Sequence, residues 1–235
     1  MVSSLQLPKS LSIIGVLAAL AIALALASPW SGAAGSALKT PVPAAGFDNP
    51  LASKSSSETM VVAGGCFWGV QAVFQSVRGV LSATSGYAGG TKDTAEYEIV
   101  STGRTGHAES VKVVYDPSRI SYGQLLKVFF SVVHDPTQLN QQGPDVGRQY
   151  RSAIFYGDDT QRNIARAYID QLEAAKVYRR KIVTEVSQLQ KFYDAEAYHQ
   201  GYFFSHPLEP YIIINDKPKV GALRKQFPEL YIERR

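Results

Sequence analysis

Cysteine is the scarcest reactive residue in this sequence of 235 residues, which contains only one, Cys66. A single thiol excludes an intramolecular disulfide, and it also excludes a zinc site built on pairs of thiolates. A lone cysteine is most often a small buried hydrophobic residue, but it can also be a nucleophile. The residues around Cys66 therefore decide between packing and chemistry.

Charged residues are also few, at 19% of the chain, and the net charge is only +4. The segment 216–235 holds six basic and three acidic side chains and so carries most of that excess. The rest of the chain has no basic field strong enough to indicate a nucleic-acid groove. Apolar residues make up 45% of the chain, which excludes global disorder and, at this length, indicates one main domain.

Histidine is rare as well, and its four copies show neither metal-ligand spacing nor a pattern of carboxylate partners. We therefore expect the histidines to be structural or to contact and support the site residues, and we expect no metal and no organic cofactor. The four residues are His107, His134, His199 and His206.

An uncharged apolar stretch at 11–27 follows Lys9 and the amino terminus, and this is the composition of an export signal. Small residues at alternate positions near its end predict cleavage close to Ser28. The alternative is a membrane anchor at 1–27, for which such a stretch is at the short limit. Both readings predict an exported or anchored protein outside the cytoplasm, in a periplasm or lumen. Anchoring on the cytoplasmic side is the remaining alternative.

Composition divides the rest of the chain into three segments. Residues 28–57 are rich in Ser, Ala, Pro and Gly, which predicts a flexible linker. Residues 58–216 have the mixture of apolar and polar residues expected of a folded domain, and 217–235 are predicted to form a basic tail.

Strand-like and helix-like patterns alternate through the predicted domain. This interleaving favours a two-layer α+β sandwich or an α/β sheet over an all-α or all-β fold. Two long polar loops, 86–109 and 134–149, are expected to form the mouth of a site, because loops of that length are uncommon without a function. The predicted strands are 59–63, 80–87, 110–115, 150–156 and 183–189; the predicted helices are 66–77, 122–133, 160–178 and 195–204, and a short apolar run follows at 211–214.

The first predicted strand leads to Cys66 through Gly64 and Gly65, and the apolar spacing after it predicts a helix. At the start of a helix, free backbone N–H groups and the macrodipole favour a thiolate. The two glycines leave room for a substrate atom beside the sulfur. Trp68 points away from the apolar stripe of the helix, which indicates an apolar wall for a small ligand group; the alternative is packing under a neighbouring loop.

The segment Gly65-Cys66-Phe67-Trp68-Gly69 resembles the signature of the type A peptide methionine sulfoxide reductases. Further motifs follow in that family's order and extend the resemblance over residues 58–204. They are Gly86-Tyr87-Ala88-Gly89-Gly90, Thr105-Gly106-His107-Ala108-Glu109, Tyr115-Asp116-Pro117, His134-Asp135-Pro136, Gln149-Tyr150-Arg151-Ser152-Ala153-Ile154 and Ala195-Glu196-x-x-His199-Gln200. The resemblance implies an α+β two-layer sandwich with a ferredoxin-like core. It also implies reduction of the S epimer of methionine sulfoxide, free or in proteins, and hence protein repair.

The resemblance also assigns roles to residues of this chain. Cys66 would attack the sulfoxide sulfur and become a sulfenic acid, releasing methionine. Glu109 would protonate the sulfoxide oxygen, which requires a raised carboxyl pKa, and we expect Cys66 and Glu109 to titrate as a pair. The implied substrate-binding residues are Phe67 and Trp68 for the S-methyl group, Tyr97 and Tyr150 for the oxygen, and Asp145 for polar groups.

In one respect the sequence departs from that family. Many members carry resolving cysteines in the C-terminal tail, whereas 216–235 contains none. The sulfenic acid must then be reduced by an external thiol of the thioredoxin, glutaredoxin or glutathione type. We expect that reductant and oxidised methionine as partners, no nucleic acid, a membrane tether only through 11–27, and a monomer.

Two other classes of function stay open from the residues. A thiol hydrolase or acyltransferase would pair Cys66 with a histidine; its turnover would survive Glu109→Gln but not a His→Ala change. A tethered interaction domain without catalysis would leave both the glycine-flanked Cys66 and the position of Trp68 unexplained.

Overall fold

The computed structural model describes residues 38–234, which contain both strands and helices, whereas the predicted signal or anchor lies outside the described residues. The strands are β1 Glu58–Gly64, β2 Val80–Ala88, β3 Ala108–Tyr115, β4 Gln141–Gln142, β5 Asp145–Val146, β6 Ser152–Tyr156, β7 Glu185–Gln188 and β8 Phe192–Asp194. The α-helices are α1 Phe67–Gln75, α2 Tyr97–Val100, α3 Tyr122–Val128, α4 Asp159–Ala174, α5 Tyr202–Ser205 and α6 Lys217–Gln226, with π-helical turns at Phe129–Val133 and Ile212–Asp216.

Six of these strands form one sheet in the order β7-β6-β1-β3-β2-β8. The four central strands, β6, β1, β3 and β2, pair antiparallel. They are the fourth, first, third and second strands of a β-α-β-β-α-β unit, in which α1 follows the first strand and α3 the third. This order is the ferredoxin-like arrangement. The predicted α+β class is confirmed.

Strand β1 lies in the middle of the sheet and is buried on both faces. Met60 and Val62 join the main core, which includes apolar side chains of α1 and α3. Val61 and Ala63 belong to a second, smaller cluster. Because successive residues of a strand point to opposite faces, an unbroken apolar run fits a strand that is covered on both sides. The strand carries the chain directly into the turn before Cys66.

The predicted helix 195–204 is wrong as a single helix. A 3-10 turn covers Ala197–His199, and α5 follows it as a separate element. Gly201 separates them because it adopts a left-handed backbone conformation with φ of 64°, which is incompatible with a continuous right-handed helix.

Part of the predicted linker packs on the domain. Val42 is buried, and the Tyr168 hydroxyl donates to the Pro43 carbonyl at 2.6 Å. Asp48 accepts a hydrogen bond from the backbone N–H of Gly123 at 2.9 Å, and so satisfies one of the free donors at the start of α3. The composition of the segment predicted flexibility, but residues 38–48 are held on the domain, because a few anchoring residues suffice to fix such a segment.

None of the helices within 38–234 combines the length and the apolar character needed to cross a bilayer.

The predicted basic tail is a folded element for most of its length. Helix α6 buries Leu223, and Phe227 follows in the core, four residues further along. Tyr231 forms a β-bridge with Val77 at the end of the domain. The tail was predicted from its basic residues, but the apolar residues between them pack the helix against the core of the domain. The folded part therefore extends beyond the predicted boundary at residue 216.

Candidate active site

A cavity of about 230 Å³ opens beside Cys66 at the start of α1. It is lined by all seven residues predicted from the sequence and by one that was not predicted. The lining residues are Cys66, Phe67, Trp68, Tyr97, Glu109, Asp145, Tyr150 and Tyr211. A larger groove of about 490 Å³ lies between 38–42 and Phe227, but neither a thiol nor a carboxylate lines it. The smaller cavity is therefore the candidate active site.

Cys66 occupies the N-cap position of α1 and is only 8% exposed. The turn before it requires glycine at residue 65, whose φ is +91°. A Cβ at that position would also lie 2.6 Å from the Gln142 side chain. The backbone thus brings the sulfur to the helix start, as the sequence predicted.

The helix start favours a thiolate at Cys66, as expected, but other groups outweigh it in the resting site. Burial, followed by the carboxyl groups of Glu109 and Asp216, raises the pKa of Cys66 well above its usual value. The backbone N–H of Trp68 and the Lys219 ammonium act in the opposite direction but do not outweigh burial. Cys66 is therefore a neutral thiol near pH 7.

Glu109 lies near the start of β3 and is 2% exposed. Its Oε2 accepts the backbone N–H of Phe67 at 3.1 Å, so the carboxyl group lies at the same helix start as the thiol. Burial raises the pKa of Glu109 to about 8. The carboxyl is then largely protonated near neutral pH and can donate a proton. The role expected of Glu109 requires such a raised pKa.

Two phenols line the same cavity, one from Tyr97 at the start of α2 and one from Tyr150 just before β6. Burial raises the pKa of Tyr97 to about 12 and raises that of Tyr150 further. Both hydroxyls therefore keep their protons and can donate to an oxygen atom. The backbone N–H of Tyr97 is held by Glu196 Oε1 at 2.8 Å, and Glu196 Oε2 accepts from the Tyr87 hydroxyl, also at 2.8 Å.

Trp68 is held on two sides by the segment after β8. Its indole Nε1–H donates to Nδ1 of His199 at 3.1 Å, and its ring stacks on Tyr202 with centroids 3.9 Å apart. The accepting Nδ1 places the imidazole proton on Nε2, and burial lowers the pKa of His199, which keeps the ring neutral. Trp68 thus forms a fixed apolar wall of the cavity.

Tyr211 completes the cavity and was missed from the sequence. Its hydroxyl donates to Asp145, and its ring meets Trp68 edge to face at 5.9 Å. Burial raises the pKa of Asp145, although the bond from Tyr211 opposes that rise. As one of 13 tyrosines at the start of a short apolar run, Tyr211 carried no local signal of this contact.

The histidines are bonded to groups other than Cys66 within the described part of the chain. His134 bonds to Ser152 at 2.7 Å, His199 accepts from Trp68, and His107 bonds to the Thr91 carbonyl at 2.9 Å. A Cys–His pair for acyl transfer is thus not formed among residues 38–234. Across the same residues, no three His, Cys, Asp or Glu side chains converge as a metal-ligand set.

The groups that line the cavity can perform a nucleophilic attack assisted by proton donation. A thiol, a protonated carboxyl, two phenol donors and the aromatic rings of Phe67 and Trp68 line the same cavity. Such a site can attack an electrophilic atom while donating protons or hydrogen bonds to an oxygen attached to it.

Comparisons with known proteins agree on one family. A family model described as peptide methionine sulfoxide reductase matches residues 58–231. Peptide methionine sulfoxide reductase MsrA 2 of Mesorhizobium japonicum is 61% identical over 178 residues, covering 76% of this chain and 91% of its own. MsrA 2 of Synechocystis is 51% identical over 182 residues, covering 77% and 85%.

The fold of this chain is also similar to those of solved structures. Methionine sulfoxide reductase A of Corynebacterium diphtheriae is 36% identical with a TM-score of 0.56, covering 73% of this chain and 84% of its own. Reduced Mxr1 from Saccharomyces cerevisiae is 30% identical with a TM-score of 0.58, covering 68% and 94%.

Proposed function

We propose a mechanism for this chain, which belongs to the peptide methionine sulfoxide reductase family and reduces methionine sulfoxide in protein repair. The sulfur of Cys66 attacks the sulfoxide sulfur while Glu109 donates a proton to the sulfoxide oxygen. The observation that carries the proposal is the contact of the Glu109 carboxyl with the backbone N–H of Phe67, at the helix start that also bears the thiol.

The step balances in atoms and electrons. The thiol loses its proton as the S–S bond to substrate forms, Glu109 protonates the oxygen, and the thiol proton restores Glu109. Glu109 then protonates the hydroxyl, the S–O bond of the substrate breaks and water leaves, so that a sulfonium is joined to the Cys66 sulfur. A water molecule attacks the Cys66 sulfur, its proton returns to Glu109, and the S–S bond breaks. The thioether is released and Cys66 becomes a sulfenic acid, so two electrons have passed from enzyme to substrate. Two external thiols then return the thiol and yield one disulfide and one water.

The shape of the cavity supports selection of one epimer. The cavity is lined both by groups that can donate to an oxygen, at Glu109, Tyr97 and Tyr150, and by the aromatic rings of Phe67 and Trp68. When the methyl group faces the rings, the oxygen faces the donors and the Cys66 sulfur attacks from a third direction, only one handedness of the sulfoxide fits. By the family resemblance, we assign this to the S epimer.

Recycling and location are further proposals. Cys66 is the only cysteine, so an intramolecular disulfide is impossible and the reductant is an external thiol of the thioredoxin, glutaredoxin or glutathione type. The apolar stretch 11–27 supports export or anchoring of the protein.

The test is a single turnover without added reductant, on separated S and R epimers of a methionine sulfoxide peptide. We expect about one methionine per enzyme from the S epimer and none from the R epimer, since one thiol supplies one turnover. Equal yields from both epimers would overturn the stereochemical assignment. No methionine from either, with Cys66 reduced and the protein folded, would overturn the mechanism.

A further inference from the structure

An ion pair is buried directly behind the candidate active site. Lys219 Nζ lies 3.0 Å from Asp216 Oδ1, and the two side chains are 4% and 0% exposed. They come from the start of α6 and from the π-helical turn before it. Neither residue was predicted as functional, and neither lines the cavity.

The pair packs against the first turn of α1. A Cβ at Gly69 would lie 2.1 Å from Asp216 Oδ1 and 2.9 Å from Lys219 Nζ. Gly69 is the third residue of the helix that begins after Cys66. Only glycine therefore lets a carboxylate and an ammonium approach the helix this closely, one turn from the thiol.

Stability alone does not explain this pair. Removing two charges from water costs more than their attraction returns unless every polar atom is satisfied. Asp216 Oδ2 has no hydrogen-bond partner among residues 38–234. A pair with an unsatisfied oxygen, packed against a glycine inside a helix, is a poor stabilising device.

The pair places charges of both signs near Cys66, and the Asp216 carboxylate influences the thiol more than the Lys219 ammonium does. Of the charged groups that influence the thiol within the described residues, Glu109 and Asp216 oppose an anion on sulfur and Lys219 favours it. The titratable groups around the sulfur come from several elements. They are Glu109 of β3, Asp145 of β5, Tyr97 of α2, Tyr150, Tyr211, Asp216 and Lys219.

We propose that Asp216 and Lys219 are a positioning pair with opposite effects on the reaction: Lys219 stabilises the anionic sulfur formed during attack, whereas Asp216 opposes that anion but holds Lys219 against the first turn of α1. This inference rests on the proposed function of Cys66. The resting thiol is neutral, so the positive charge acts when the proton leaves sulfur. A C-terminal helix without a reactive residue thereby contributes to the reaction.

The experiment measures the rate of Cys66 alkylation by iodoacetamide against pH in the full-length protein. Lys219→Met should slow alkylation about tenfold at pH 7 and move the profile to higher pH, because a nearby cation is lost. Asp216→Asn should accelerate alkylation and move the profile to lower pH, because an anion is lost. Lys225→Met, which removes an exposed charge from the same helix, should leave the profile unchanged.

Opposite shifts are the decisive sign, since a merely structural role would make both variants change in the same direction. If Lys219→Met does not fold, the double variant Asp216→Asn/Lys219→Met takes its place in the comparison. The double variant should fold more readily, because it leaves no unpaired charge buried. The double variant should then be alkylated more slowly than Asp216→Asn alone. Profiles that coincide with the wild type, or that shift together, would overturn the proposal.

Alkylation does not require turnover, so it tests the pair separately from the reaction. Single-turnover sulfoxide reduction by Lys219→Met should slow by a similar factor, with little change in the sulfoxide concentration for half-maximal rate. If Cys66→Ser still reduced sulfoxide, the proposed function would fail even where the alkylation profiles behaved as expected.

Discussion

Two regions of the domain build one cavity in different ways. The region from Cys66 to Tyr150 contributes the thiol, the acid, the two phenols and the aromatic wall. The region from Glu196 to Lys219 contributes mainly groups that hold these in place, by contacts to Tyr97, Trp68, Asp145 and the first turn of α1. The reactive groups thus come from the segment 66–150, whereas their geometry depends on contacts with residues 66 to 131 positions further along the chain. Substitutions in the two regions should therefore have effects of different size and kind.

The largest effect is expected in the first region, at the thiol. Cys66→Ser should abolish methionine formation in a single-turnover assay, because a hydroxyl at this site is a far weaker nucleophile than a thiol. Ser76→Ala, a buried hydroxyl at the end of the same helix, is the matched control and should retain turnover. Turnover in Cys66→Ser at the wild-type rate would mean that another group attacks the sulfoxide.

The next effect concerns the acid. Glu109→Gln should slow sulfoxide reduction by about 10²–10⁴-fold, the usual contribution of general acid catalysis. The pKa of Glu109 is raised to about 8, so the donating form is present below that pH and is lost as pH rises through it. Wild-type single-turnover rates should fall above pH 8, and Glu109→Gln should lack this fall because an amide does not titrate. If the rate of Glu109→Gln also fell above pH 8, a group other than Glu109 would cause the fall.

A smaller effect is expected in the second region, at Tyr211. Tyr211→Phe keeps the ring against Trp68 but removes the hydrogen bond to Asp145. We expect KM for a sulfoxide peptide to rise about tenfold while kcat changes less, because a bond that holds a carboxyl group lining the cavity is lost. Tyr198→Phe, at an exposed tyrosine, is the control and should match the wild type. A change confined to kcat would place Tyr211 in the chemical step.

The smallest effect compares two helical glycines. Gly→Ala in a helix normally stabilises by about 0.5–1 kcal/mol. Gly221→Ala should do so, since nothing lies within 4 Å of its added Cβ. Gly69→Ala should instead lower the free energy of unfolding by about 1–3 kcal/mol, because its Cβ would displace the Asp216 carboxylate. Denaturant titration of both variants measures the difference, and stabilisation by Gly69→Ala would show that the pair does not depend on this glycine.

The sequence predicted the first region well because its signals are local. The strand, the two glycines and the helix start around Cys66 follow one another along the chain, and each has its own residue pattern. The seven predicted site residues could be identified in the sequence because they lie in or between motifs of a known family. The α+β class followed from the alternation of strand and helix patterns.

The second region could not be predicted in the same way, because its roles arise from contacts between distant residues. Tyr211 has an ordinary sequence environment, and only the folded chain brings its hydroxyl to Asp145. The charge of Cys66 was also mispredicted, since a sequence shows the helix start but not the burial that outweighs it. Lys219 was counted as one of several basic tail residues, although it is buried and paired.

The most direct test of the account is to follow Cys66 itself during one turnover. The wild-type protein is mixed with the S epimer of a sulfoxide peptide and dimedone, which traps sulfenic acids, and the Cys66 peptide is analysed by mass spectrometry. The account predicts a dimedone adduct on Cys66 in an amount equal to the methionine formed. Methionine formed while Cys66 remains a free, unmodified thiol would contradict it.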